Sequence, residues 1–299
     1  MPANRTFASI LCAVLGILLF STKAVFVKLA YQFEVDSISL LLLRMLFALP
    51  FYLGMVLLDK NRSNIARRDT AFIFLAGFLG YYLASFLDFE GLKYVKASIE
   101  RLILFTYPTL VVLLSFIFLK KRISNGQFFA IIMSYVGTVV VFFPELGAQE
   151  SDNVVLGGVL VFLSGLSYAA FIVSSSWIIP RIGAKTFTSY CMTVSSVLVI
   201  LHYAFQVGEF QPLLDLYPSV YLYGILMAVV STIIPSYLVS YAIAGIGANR
   251  FALFGGLGPI STIVMAFFIL GELLSAIQIL GGVIVILSIF IGERFKAKE

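Results

Sequence analysis

The run TAFIFLAGFLGYYLASFLDFE, residues 70–90, is apolar for most of its length and then places two carboxylates, Asp88 and Glu90, near its end. At about 1.5 Å per residue, a helix of this length crosses the roughly 30 Å hydrocarbon core of a bilayer. The apolar residues are continuous rather than alternating. Lipid leaves only helices and closed barrels as ways to satisfy the backbone, and such a run selects the helix. What the two carboxylates do depends on the rest of the chain.

Runs of the same kind recur throughout. The 299 residues are 61% hydrophobic and only 12% charged, against roughly 25% charged in a soluble domain. The pattern predicts an all-α polytopic membrane protein with ten transmembrane helices, at 6–29, 36–58, 70–90, 97–119, 125–143, 154–179, 184–206, 217–243, 248–270 and 274–292. The first run is long for a cleaved leader and lacks an A-x-A-like site, so it reads as a retained span. Cys12 and Cys191 fall in apolar runs and read as packing residues.

Lys and Arg accumulate on the cytoplasmic side of membrane proteins. With the amino terminus inside, Arg5, Lys60, Arg62, Arg67, Arg68, Lys120, Lys121, Arg122, Arg181, Lys185, Arg250, Arg294, Lys296 and Lys298 all lie inside, 14 of the 20 basic residues. Glu34, Asp36, Glu145, Glu150, Asp152, Glu209, Asp215 and Glu272 lie outside, with Lys93 and Lys96 as exceptions. Both termini are expected to be cytoplasmic. The formal charge of +5 follows from this topology and gives no ground for nucleic-acid binding.

Sliding the chain on itself by 151 residues pairs Ala97 with Ala248, Pro108 with Pro259 and Gln127 with Gln278, among seven identities in the 44 positions from 97 to 140. Lys121, on an inner loop, then meets Glu272 on an outer one. Opposite loop charges are what two halves inserted with opposite orientation require, and inverted repeats around a midplane site mark many secondary transporters. The expected units are residues 1–146 and 147–299, each with five helices.

The stretches LFSTKAVFVKLAY, LLLRMLFALPFY, SIERLILFTYPTLVVLLSFIFLKK and LGPISTIVMAFFILGELLSAIQILGG resemble bacterial members of the drug/metabolite transporter superfamily with two EamA-type domains. The resemblance covers nearly the whole chain. It implies two inverted five-helix repeats, export or exchange of small metabolites such as amino acids, and residence in a bacterial inner membrane. Pro259 to Glu272 fits the P-x(11)-G-E pattern of the carboxyl-terminal repeat, whereas the first repeat has Lys120-Lys121 where Gly-Glu is usual.

Six charges fall in the outer half of the first repeat: Lys23, Arg44, Asp88, Glu90, Glu100 and Arg101. The counterparts of Lys23, Arg44, Asp88, Glu100 and Arg101 in the second repeat are apolar: Ala169, Val194, Val239, Phe251 and Ala252. An intramembrane charge costs roughly 2.5–3.5 kcal/mol on insertion scales, so such residues pair or face an aqueous cavity. A structural ion-pair network and a substrate or proton site are both open readings; membrane-end snorkelling suits Glu90, Glu100 and Lys28. Tyr81, Ser85 and Asp88 recur at helical spacing and share a face that Gly77 continues inward. Desolvation and a nearby Lys23 act in opposite senses on the proton affinity of Asp88, which would make a proton-sensitive gate.

Helix breaks supply the remaining candidates. Pro108, beside Tyr107, and Pro259 cannot donate the helical hydrogen bond, and Gly255, Gly256 and Gly258 loosen the ninth span. These small residues serve equally for close packing. Ser167 and Tyr168 in the sixth span, and Tyr237 and Tyr241 beside Pro235 in the eighth, are further cavity candidates.

The one histidine, His202, sits in an apolar run; no H-E-x-x-H, Walker or dinucleotide motif occurs. The reading is a solute exporter and not an enzyme, with a lipid flippase and an intramembrane lipid-modifying enzyme as weaker alternatives. No cofactor or metal is called for. The partners expected are a small solute and the bilayer, with proton coupling and a homodimer both compatible with the sequence.

Overall fold

The computed structural model describes residues 3–59, 65–119, 124–147 and 153–294, and among these the regular structure is helical. Of the loop charges used for orientation, Lys60, Arg62, Lys120, Lys121, Arg122, Glu150, Asp152, Lys296 and Lys298 lie outside the described residues. The helices are α1 (Ala3–Tyr31), α2 (Ser37–Leu57), α3 (Arg67–Gly77), α4 (Ala84–Gly91), α5 (Ala97–Leu104), α6 (Tyr107–Leu119) and α7 (Asn125–Gly147). They continue with α8 (Val154–Ile182), α9 (Ala184–Gln206), α10 (Pro218–Ala228), α11 (Ile234–Phe254), α12 (Leu257–Met265) and α13 (Ala276–Arg294). Among the described residues, seven uninterrupted or nearly uninterrupted helical stretches are long and apolar enough to cross a membrane, and three further apolar helices are shorter.

Sequence chemistry sets the ends of these elements. Asp36 caps α2, its carboxylate accepting the Ser39 N–H at 3.0 Å. Gly247, at φ 79° and ψ 158°, kinks α11 between the predicted eighth and ninth spans. That conformation places it in the region that suits glycine.

Two interruptions are placed alike in the two halves, whereas a further π-helical turn, Ala266–Leu270, has no counterpart in α6. A π-helical turn, Phe78–Leu83, joins α3 to α4; another, Val229–Ile233, joins α10 to α11 and starts 151 positions later. The α5–α6 break at residues 105–106 and the α11–α12 break at 255–256 are offset by about the same amount. Pro108 sits in the first turn of α6, where its missing donor costs nothing, so the break precedes it. Pro259 lies likewise in the first turn of α12, after Gly255 and Gly256.

Packing pairs the helices across the chain. The main contacts are α1 with α11 and α12, α4 and α6 with α8, α2 with α9, and α7 with α13. Two crossings use the same device. A Cβ on Gly91 would meet Val161 and the Gly157 carbonyl, and one on Gly157 would meet Val95 and the Gly91 carbonyl. Gly137 and Val141 of α7 meet Gly281 and Val285 of α13 in the same reciprocal way. Close backbone approach is the main source of helix association where lipid removes the hydrophobic drive. Gly77 belongs to this class: a Cβ there would stand 2.6 Å from the Cys191 carbonyl, so Gly77 packs against α9 and does not extend a ligand face. Cys12 and Cys191 are free thiols on different helices.

Candidate functional site

The charges in the apolar runs converge where α1, α2, α4 and α5 meet. Lys23 Nζ stands 2.6 Å from Asp88 Oδ2. Glu100 Oε2 lies 3.7 Å from the Nε of its neighbour Arg101. Both carboxylates are 0% exposed.

Arg44 is placed differently. Its Nε donates to Thr232 Oγ1 at 2.6 Å and its NH1 to Ser85 at 3.3 Å. The guanidinium carbon lies 5.6 Å from the Phe89 ring centroid. No carboxylate lies within salt-bridge distance of it among the described residues. The π-helical turn brings Thr232 to it, and the Thr232 hydroxyl donates its own hydrogen bond to the Met227 carbonyl at 2.8 Å. Arg101 also donates, from NH2 to the Phe20 carbonyl at 3.3 Å. Glu90 stands apart, taking the Ser37 hydroxyl and the Lys93 ammonium at 2.9 Å.

A cavity of about 100 Å³ opens beside this cluster. Lys23, Arg44 and Arg101 line it, with the hydroxyls of Ser21, Ser85 and Ser164. Its aromatic wall is Phe20, Tyr81, Phe105, Tyr107, Tyr168 and Phe251. Tyr107 and Tyr168 meet edge to face at 5.3 Å between centroids, and Phe171 supports Tyr81 and Tyr168 from behind. Gly80, Gly255, Gly258 and Pro259 bring the interrupted backbone to its surface.

Asp88 and Glu100 are not on that surface. Asp88 therefore does not share an open face with Tyr81 and Ser85: the π-helical turn widens the helix between Tyr81 and Ser85, and Lys23 covers the carboxylate. Five further candidates also lie elsewhere. Ser167 donates to the Leu79 carbonyl at 2.7 Å, in the π-helical turn, and so holds two helices together. Tyr237 shares a 2.7 Å hydrogen bond with Ser189 and packs beside Tyr52, whose hydroxyl meets Ser236 at 2.7 Å. This forms a second polar cluster between α2, α9 and α11. Tyr241 is 48% exposed on the bundle surface. Pro108 and Gly256 belong to the breaks without lining the cavity.

Ser21, Ser164, Phe20, Phe105 and Phe251 were not among the candidates. Ser164 stands four residues before Tyr168, a same-face spacing that could have marked it; the phenylalanines, among 29 in the chain, carried no signal. Glu272 proves to be a cap. Its carboxylate accepts the Ala97 and Ser98 N–H groups at 2.9 Å each and the Ser98 hydroxyl at 2.7 Å. An anion at a helix start is favourable, and this one joins the 271–275 loop to α5. His202 meets the Tyr82 hydroxyl at 3.1 Å. Among the described residues no group of three His, Cys, Asp or Glu side chains could hold a metal.

The EamA-like transporter family matches residues 7–143 and again 155–292. An uncharacterized transporter of Bacillus subtilis, YcbK, is 29% identical over 280 residues, covering 90% of this chain and 87% of that protein. An uncharacterized transporter of Archaeoglobus fulgidus is 24% identical over 283 residues, covering 94% of each. A protein of known crystal structure superposes with a TM-score of 0.64 at 17% identity over 97% of this chain and 99% of its own, a likeness of fold. The apolar spans, the central cavity and these matches lead to one statement: the chain is a multi-pass membrane protein that belongs to the EamA-like transporter family.

Proposed function

We propose that the protein is a secondary transporter that exports or exchanges small metabolites, amino acids among them, by alternating access. The observation that carries this is the central cavity, walled by helices interrupted in both halves of the chain. Breaks 151 residues apart support a reading as ten spans in two inverted five-helix repeats, residues 1–146 and 147–299. The packing supports it as well, since exchanging the halves turns the α1–α11 contact into the α8–α4 contact. Interrupted helices around a midplane site are how such carriers build a binding surface that two repeats can open in turn.

The loop charges support a reading with both termini in the cytoplasm, and the family resemblance supports the inner membrane of a bacterium. The buried Lys23–Asp88 pair supports proton coupling, because one added proton changes the charge balance there.

The test is counterflow of radiolabelled amino acids and related metabolites in proteoliposomes, at two internal pH values, for the wild type and Asp88→Asn. Trans-stimulated exchange of one solute class is expected, with a pH dependence that Asp88→Asn removes. A monodisperse protein that exchanges nothing across a broad panel would refute the carrier reading.

A further inference from the structure

The cavity does not present the cluster's chemistry evenly. Three cations, Lys23, Arg44 and Arg101, reach its surface, while Asp88 and Glu100 are sealed behind it at 0% exposure. No carboxylate shares that surface, and Arg44 is held by hydroxyls. A charge inside the membrane without an ionic partner is costly, and a positioned one marks a binding function. A solute with a negative charge would meet these cations directly. A cationic solute would meet the three cations with the carboxylates out of reach.

Arginine suits such a role because its planar fork offers parallel donors to a carboxylate or similar oxyanion. The fork here is oriented by the Thr232 and Ser85 bonds and by the Phe89 ring. The same lining includes Phe105, Tyr107 and Tyr168, an aromatic wall whose two phenols are its polar groups. Resting on the carrier reading, we infer that the transported solute is a small organic anion, one carboxylate or comparable oxyanion on an apolar or aromatic body, with Arg44 as its anchor.

Three matched probes test this: 3-phenylpropionate, its amide, and 3-phenylpropylamine, by calorimetric binding to the full chain in phosphatidylcholine nanodiscs. The carboxylate is expected to bind at least about tenfold better than the other two, as a charge-assisted hydrogen bond would give. Arg44→Gln should erase that preference and Arg44→Lys keep part of it. If Arg44→Gln does not assemble as a monodisperse protein, Arg101→Gln is the second variant, and it should narrow the same preference.

Equal or better binding of the amide or amine, or no binding of any probe, overturns the inference and leaves the carrier reading untouched. Loss of carboxylate binding when phosphatidylglycerol replaces phosphatidylcholine makes the natural occupant a lipid headgroup, and also overturns it. Conversely, carboxylate binding without counterflow of any solute would sink the carrier reading and leave the anion site standing.

Discussion

Asp88 commits a carboxylate to complete burial with an ammonium 2.6 Å away. Removing one partner of a buried pair leaves the other uncompensated and costs about 3–5 kcal/mol, whereas replacing both by apolar groups is often neutral. Asp88→Asn should therefore lower the melting temperature in detergent clearly, and Lys23→Leu with Asp88→Leu should recover most of the loss without restoring exchange. A double variant as unstable as the single one would show that the pair is not the reason for the loss. The charges Lys23, Arg44 and Arg101 were legible in the sequence because any charge in an apolar run demands an explanation. Which of them face open space was not: that depends on Lys23 lying over Asp88 and on a π-helical turn that periodicity assumes away. Tyr237 lies off the cavity because its hydroxyl meets Ser189 on a neighbouring helix, and such a hydroxyl looks the same in a sequence as one that meets a solute; Tyr241 faces outward.

Helix identity was readable from apolar runs, and the two proline-containing breaks from Pro108 and Pro259; the π-helical turns were not, since FLGYYL and VVSTI contain no residue that requires them. At the α7–α13 crossing, a Cβ on Gly281 would lie 2.7 Å from the Val141 nitrogen and 2.8 Å from the Gly137 carbonyl. Gly281→Val should force the pair apart and lower the melting temperature, while Gly54→Ala, where a Cβ meets nothing within 4 Å, should leave it unchanged. Glu272→Ala strips three hydrogen bonds from the start of α5, and a lost cap costs about 0.5–2 kcal/mol. Because α5 carries Glu100 and Arg101, that variant should also weaken solute binding measurably; unchanged affinity would confine Glu272 to stability.

The topology drawn from loop charges makes opposite demands of the two ends of the bundle. After Cys12 and Cys191 are replaced by Ser, cysteine at Glu34 should react with a membrane-impermeant maleimide in intact cells, and cysteine at Lys185 only after permeabilisation. The reverse result would invert the orientation and make the proposed exporter's outer end its inner one. At the inner end of the proposed orientation, Arg181 closes on the buried Asp69 at 2.7 Å. The basic count had used Arg181 for topology and passed over its partner, because pairing between distant helices leaves no trace in local composition.

The hydroxyl that holds Arg44 most closely has a further consequence, for how the chain is made. Thr232 lies 188 residues after Arg44, so α2 enters the bilayer long before that partner has been synthesised. Leucines 40–43 and the apolar residues after Arg44 must carry the cation in unaided, since centrally placed leucines each favour insertion by a few tenths of a kcal/mol and an arginine opposes it by roughly 2.5–3.5. Until the second half arrives the cation is a standing liability in a nascent chain. The Arg44 side of the cavity is therefore complete only once the second half has been made, because its nearest hydroxyl lies at residue 232.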